Sequence, residues 1–231
     1  MKVTYFDQKQ DYNLSVDFSK MMSSGWTRRF KDFFHSEDMR EAMFTTTKMY
    51  KGDHLVFPKK QELFAIFNKL DVTEINVVIV NCHPRFTEKG NGIAFANRQN
   101  AEMQYDRQLT TLLDEISMKE HRRLFPSDVT LEHWIDQYVF PLNVALTGFA
   151  DLTQKALWFG LIRTALQTIS KARQGVIFQF IGTEAQCRPY IDLIDHKKHT
   201  VLQSDILNYD ALNDINLEID GINGKEYRIR W

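Results

Sequence analysis

NVVIVNCHPRFTEKGNGIAFAN, residues 76 to 97, carries the pattern on which the fold turns. Its four β-branched residues Val77, Val78, Ile79 and Val80 form a run short and apolar enough for a strand buried on both faces. The run breaks into a polar turn holding Asn81, Cys82, His83 and Pro84. A second turn, around Gly90 and Gly92, leads to the short apolar run Ile93 to Phe95. A buried strand that ends by presenting polar side chains on a loop is how an open α/β sheet builds a ligand site.

Outward from this strand the alternation of apolar runs and turns recurs. Residues 1 to 20 read as an irregular or strand-like lead, and Ser23-Ser24-Gly25 precede a helical stretch from Trp26 to about Phe34. Residues 56 to 70 place Pro58 near a helix start, with Leu63, Phe64, Ile66, Phe67 and Leu70 inward. Leu109, Leu112, Leu113 and Ile116 give helical spacing over 104 to 118, and 156 to 172 reads as another helix. YVFPLNVALT (138 to 147), GVIFQFIG (175 to 182) and HTVLQS (199 to 204) supply three more strands, with a helix start at Thr183. Alternating strands and helices predict a single α/β domain over 1–231. It is expected to be a three-layer sandwich with a central four-stranded, mostly parallel sheet built from 76–80, 138–144, 175–181 and 199–204.

The composition supports one packed domain. The 231 residues are 43% hydrophobic and include seventeen Phe, which argues against disorder. A net charge of −1 removes any global basic field, though a local patch could still serve nucleic acid. Two cysteines, Cys82 and Cys187, suggest neither a disulfide framework nor a zinc site. The sequence holds no apolar stretch that would span a bilayer and no secretory pattern at its start, so it reads as soluble and intracellular, without a membrane partner.

Read as chemistry, Cys82 and His83 form a nucleophile–base pair by residue type. Adjacent residues leaving a strand point in opposite directions, which disfavours it. A metal site from His83, His196 and His199 is poor, because His196 and His199 flank two lysines and read as a solvated turn. HRR (121 to 123) and HKKH (196 to 199) are candidate phosphate patches or, more simply, solvated surface. No metal or cofactor is expected.

The order of motifs resembles the uracil-DNA glycosylase family, of the family 1 type, over most of the chain. That family's first site loop reads G-Q-D-P-Y-H, a spacer, then G-L-A-F; here NCHPRF occupies 81 to 86 and GIAF occupies 92 to 95. Trp26 and Phe57-Pro58 match upstream. LNVALT (142 to 147) is similar to the family's L-N-A-V-L-T, IGTEAQ (181 to 186) to its W-G-A-H-A-Q, and YRIRW (227 to 231) to its aromatic ending.

The resemblance implies a uracil-DNA glycosylase-like fold that flips a base from DNA and cleaves its bond to the sugar. It places the stacking aromatic at Phe95 and the uracil-reading amide at Asn143; a core Phe and a turn Asn are the plainer alternatives. Cys82 and Arg85 are counted with the base-binding residues, Arg85 standing where the family has a thymine-excluding Tyr. His83 replaces the catalytic Asp and cannot supply its fixed charge to a cationic sugar, though it could act as a base. The family's H-P-S-P-L-S loop is replaced by DILNYDAL (205 to 212), with no His, and its Pro-rich loop by QYDRQ (104 to 108).

Three readings follow. The first is a catalytically inactive or severely impaired glycosylase-fold protein that binds DNA, single-stranded or duplex, or a protein partner. The second is an active glycosylase with an altered catalytic residue. The third is a protein-interaction scaffold without DNA binding. Asn81 to Arg85, Phe95 and Asn143 are expected to converge at the carboxyl ends of the strands.

Overall fold

A computed structural model describes residues 1–7, 12–52, 55–99, 106–149 and 152–231. The strand-like lead is a hairpin, β1 (Lys2–Asp7) and β2 (Tyr12–Asp17), paired antiparallel. Helices α1 (Ser24–Arg29), α2 (Glu37–Lys51) and α3 (Ala65–Lys69) precede β3 (Val77–Asn81). Helices α4 (Arg107–Glu120) and α5 (Glu132–Ile135) lead to β4 (Val139–Asn143). A short pair, β5 (Gly148–Phe149) and β6 (Leu152–Thr153), and α6 (Lys155–Ala172) lead to β7 (Ile177–Ile181). The chain continues through α7 (Glu184–Ile191), β8 (Thr200–Ser204) and α8 (Tyr209–Ile222).

The predicted four-stranded sheet is present, in the order β4-β3-β7-β8 with every pairing parallel. Val77 to Val80 are all buried, and successive strand residues point to opposite faces, so both faces of β3 are covered. Pro141 in β4 is tolerated because β4 is an edge strand, where the N–H that proline lacks has no ladder partner to lose. An aromatic cluster fixes α1 and α3 to this edge. Trp26 sits 5.1 Å from Phe67 and 5.5 Å from Phe140, and its indole N–H donates to Leu70 O at 2.9 Å. Trp231 is buried against Trp134 at 5.0 Å, which gives the aromatic ending a packing role.

Two long helices lie outside the sequence-based expectations. In α2 the run Thr45-Thr46-Thr47 dilutes the apolar stripe, yet Met39, Ala42, Met43 and Phe44 are buried and the helix packs on α6. In α8 the stripe Leu212, Ile215 and Ile219 has helical spacing and begins at an Asn208 cap that accepts from Ala211 N. The helix expected over Trp26 to Phe34 is divided into α1 and a 3₁₀ turn, Phe33–His35. Residues 104 and 105 of the expected 104–118 helix lie outside the described residues; α4 begins at Arg107, capped by Asp106 accepting from Gln108 N at 2.9 Å.

Candidate functional site

Parallel register sets the site. Asn81 pairs with Asn143 and Ile181, and Ile181 pairs with Ser204, so the carboxyl ends of all four strands are level. Above them opens a cleft with a volume of about 270 Å³. Its walls include Asn81, His83, Arg85, Phe86, Phe95 and Asn143.

Cys82 does not join them. Strand alternation continues past Val80, so Asn81 faces the cleft, Cys82 turns into the core and His83 turns outward. Cys82 is 0% exposed, and burial beside Cys187 pushes its thiol well above the usual pKa. The expectation that Cys82 contacts a base is therefore corrected, and its partnership with His83 fails for the same reason. The His83–His196–His199 metal reading fails on topology: His83 follows β3 at one end of the sheet, whereas His199 precedes β8 at the other. His199 is also not a solvated turn residue. It is buried, accepting from Val176 N on Nδ1 and donating from Nε2 to Ser170 O at 2.9 Å. Arg122 of the HRR run is likewise a strut, bonded to Asp128 and Trp231 O.

Phe95 reaches the cleft through an unusual backbone. Its φ is +64°, a conformation that costs a bulky residue about 1–3 kcal/mol and persists only where its surroundings enforce it. Enforcement comes from the neighbouring loop. Gly92 has φ +85°, and a Cβ there would lie 2.1 Å from Glu62 O, so glycine is needed for this close approach. Arg98 then binds Glu62 through both guanidinium nitrogens facing it and also donates to Glu88 O, closing the loop onto the segment before α3.

Asn143 is bonded to its register partner: Asn81 Nδ2 donates to Asn143 Oδ1 at 3.0 Å. Burial, then the cations Lys155 and Arg85, hold His83 below its ordinary pKa near 6.5. A neutral imidazole beside two cations is the reverse of a carboxylate.

Two carboxylates do line the cleft, on Asp106 and Asp205, and both escaped the sequence reading. Asp205 directly follows β8, so the rule that strand carboxyl ends carry the site would have found it. Beside it Ile206, 59% exposed, gives an apolar surface and Leu207 is buried, in the segment where the family pattern carries its His.

No protein-family model matches the chain. The curated relatives include a protein named uracil-DNA glycosylase from Flavobacterium johnsoniae, 28% identical over 187 residues, covering 79% of this chain and 82% of the relative. Another of that name, from Psychromonas ingrahamii, is 29% identical over 153 residues, covering 64% and 69%. Among solved structures, mimivirus uracil-DNA glycosylase superposes with a TM-score of 0.77 at 18% identity, covering 94% of this chain and 89% of that one. The chain is similar in sequence to proteins named uracil-DNA glycosylase, at 28% and 29% identity, and has the fold of the uracil-DNA glycosylase structures.

Proposed function

We propose that this protein binds DNA by accepting an unstacked base between Phe95 and Asn143, and that it excises that base extremely slowly or not at all. One observation carries this reading. The cleft has an aromatic ring and a carboxamide on its walls, while the position expected to hold the catalytic carboxylate holds His83, whose pKa burial and then the cations Lys155 and Arg85 lower. A base needs a π-face and a hydrogen-bonding edge, and both are on offer. An oxocarbenium-like sugar needs a nearby anion, whereas the charged groups that act on His83 are the cations Lys155 and Arg85. The relatives' shared name supports DNA as the partner. The cleft volume, about 270 Å³, is near the lower end of small-molecule sites, about 300–1,000 Å³, in keeping with a single base.

Removing one well-placed electrostatic group costs about 10²–10³ in rate. Here both the expected anion and the expected His are replaced, and such losses do not simply multiply. The test measures uracil release from single-stranded DNA by the wild type, His83→Asp and Asn143→Ala, with binding followed on the same oligonucleotide. The expected outcome is binding without release in the wild type, weaker binding in Asn143→Ala, and at most partial recovery in His83→Asp.

Asp106 and Asp205 on the cleft wall favour a second reading, an active glycosylase whose carboxylate has moved. Robust wild-type release, abolished by Asp205→Asn or Asp106→Asn, would establish it and defeat the first. Absence of both release and DNA binding would leave a protein-interaction scaffold.

A further inference from the structure

The carboxamide of Asn143 has nearly the same shape after a half-turn about its last bond, but the half-turn exchanges acceptor for donor. Something must choose between the two orientations, and Asn81 does so. The backbone N–H of His83 donates to Asn81 Oδ1 at 3.2 Å. A backbone N–H can only donate, so the oxygen end of Asn81 is committed to the loop. Its amino end, which can only donate, is thereby turned to Asn143 and bonds Asn143 Oδ1 at 3.0 Å. Both residues close neighbouring strands in register and both line the cleft. Glycine, which the family pattern has at this position, has no side chain with which to do this.

We propose that Asn81 is a specificity-determining positioning residue. By holding Asn143 in one of its two amide orientations, it makes the cleft discriminate between pyrimidine edges. The accepted edge pairs a ring N–H with a carbonyl, as in uracil; the rejected edge pairs a ring acceptor with an amino group, as in cytosine. This rests on the proposed reading of the cleft as a base site, and the preferred edge follows the relatives' name. A freely turning Asn143 would serve either base, whereas a fixed one leaves the wrong base with unpaired polar groups.

The two variants act differently on the lock. In Asn81→Asp, one oxygen still accepts from His83 N, but the other can only accept, so Asn143 must turn its amino group inward and reverse its edge. In Asn81→Ala neither orientation is imposed. The experiment measures binding, by fluorescence anisotropy, to dA-rich single strands carrying one central dU or one central dC, with thermal unfolding to verify folding of each variant. The wild type is expected to prefer dU by about 5- to 100-fold. Asn81→Asp should invert the preference, and Asn81→Ala should bring the ratio close to one. An unchanged dU:dC ratio in both folded variants would overturn the role of Asn81 while leaving the base cleft intact. Wild-type binding that ignores the central base and is unmoved by Asn143→Ala would overturn the base cleft, and this inference with it.

Discussion

His83 stands where the resemblance expects the catalytic carboxylate. Its ring is held toward the neutral form by partial burial and by Lys155 and Arg85. An NMR titration is expected to place its pKa below 6.5, and Lys155→Ala should raise it. A value that stays put in Lys155→Ala would show that the field at the cleft mouth is not set by that lysine. Cys82, its neighbour in sequence, belongs to another environment. It and Cys187 are both fully buried with raised thiol pKa, so neither holds thiolate at neutral pH. A thiol reagent at pH 8 should label neither in the folded protein and both after denaturation; rapid labelling of the native chain would refute the inward placement. Phe95 and Asn143 were placed at the site by the resemblance in motif order, and both line the cleft. Cys82 was counted with the base-binding residues through the resemblance, although strand alternation, which already set it apart from His83, turns it into the core. Asn81 was expected at the cleft, but its bond to Asn143 depends on register between strands 62 residues apart, which no local pattern reveals.

At the scale of elements, the strands were legible because each is a short apolar run closed by polar turns. The helices were less so wherever a stripe was diluted, as in α2, or lay in a segment read only for a missing motif, as in α8. Helix α1 shows a further kind of information that sequence hides. No side chain of its own flanking residues caps it; instead Asp71 accepts from Ser23 Oγ and Gly25 N, each at 2.9 Å, across 46 or more residues. Burial raises the pKa of Asp71, but hydrogen bonds from Ser23, Thr73 and Gly25 outweigh it, so the carboxyl lies below its usual value. A depressed folded-state pKa contributes stability that is complete above the unfolded value, about 3.9, and is lost as pH falls through the folded value. Asp71→Asn should therefore be destabilised at pH 7, by about 0.5–2 kcal/mol on the scale of a lost cap. That deficit should shrink as the pH drops below about 4. Urea midpoints measured from pH 7 to pH 3 test this, and a deficit that is constant with pH would remove the carboxylate from the argument.

Over the whole molecule, parallel strands bring four loops to one end of the sheet, so residues from 81 to 207 share a single cleft. That convergence was predictable from topology, and the same rule applied to the end of β8 points to Asp205; Asp106, which precedes α4, carried no such signal. Net charge bears directly on how DNA would be held. At −1 overall, the protein lacks a field to attract a phosphate backbone over distance, leaving local cations such as Arg85 and Lys155. Each phosphate neutralised on a single strand contributes about −0.7 to the slope of log K against log salt. If base capture rather than backbone contact dominates, two or three phosphate contacts suffice, and the slope should be no steeper than about −2. Anisotropy titrations of a dU-containing single strand across a range of salt concentrations give this slope. A value several times steeper would mean that an extended backbone contact, not the cleft, carries the affinity. A shallow slope that flattens further in Arg85→Ala would place one of the few phosphate contacts at the cleft mouth, directly beside the base site.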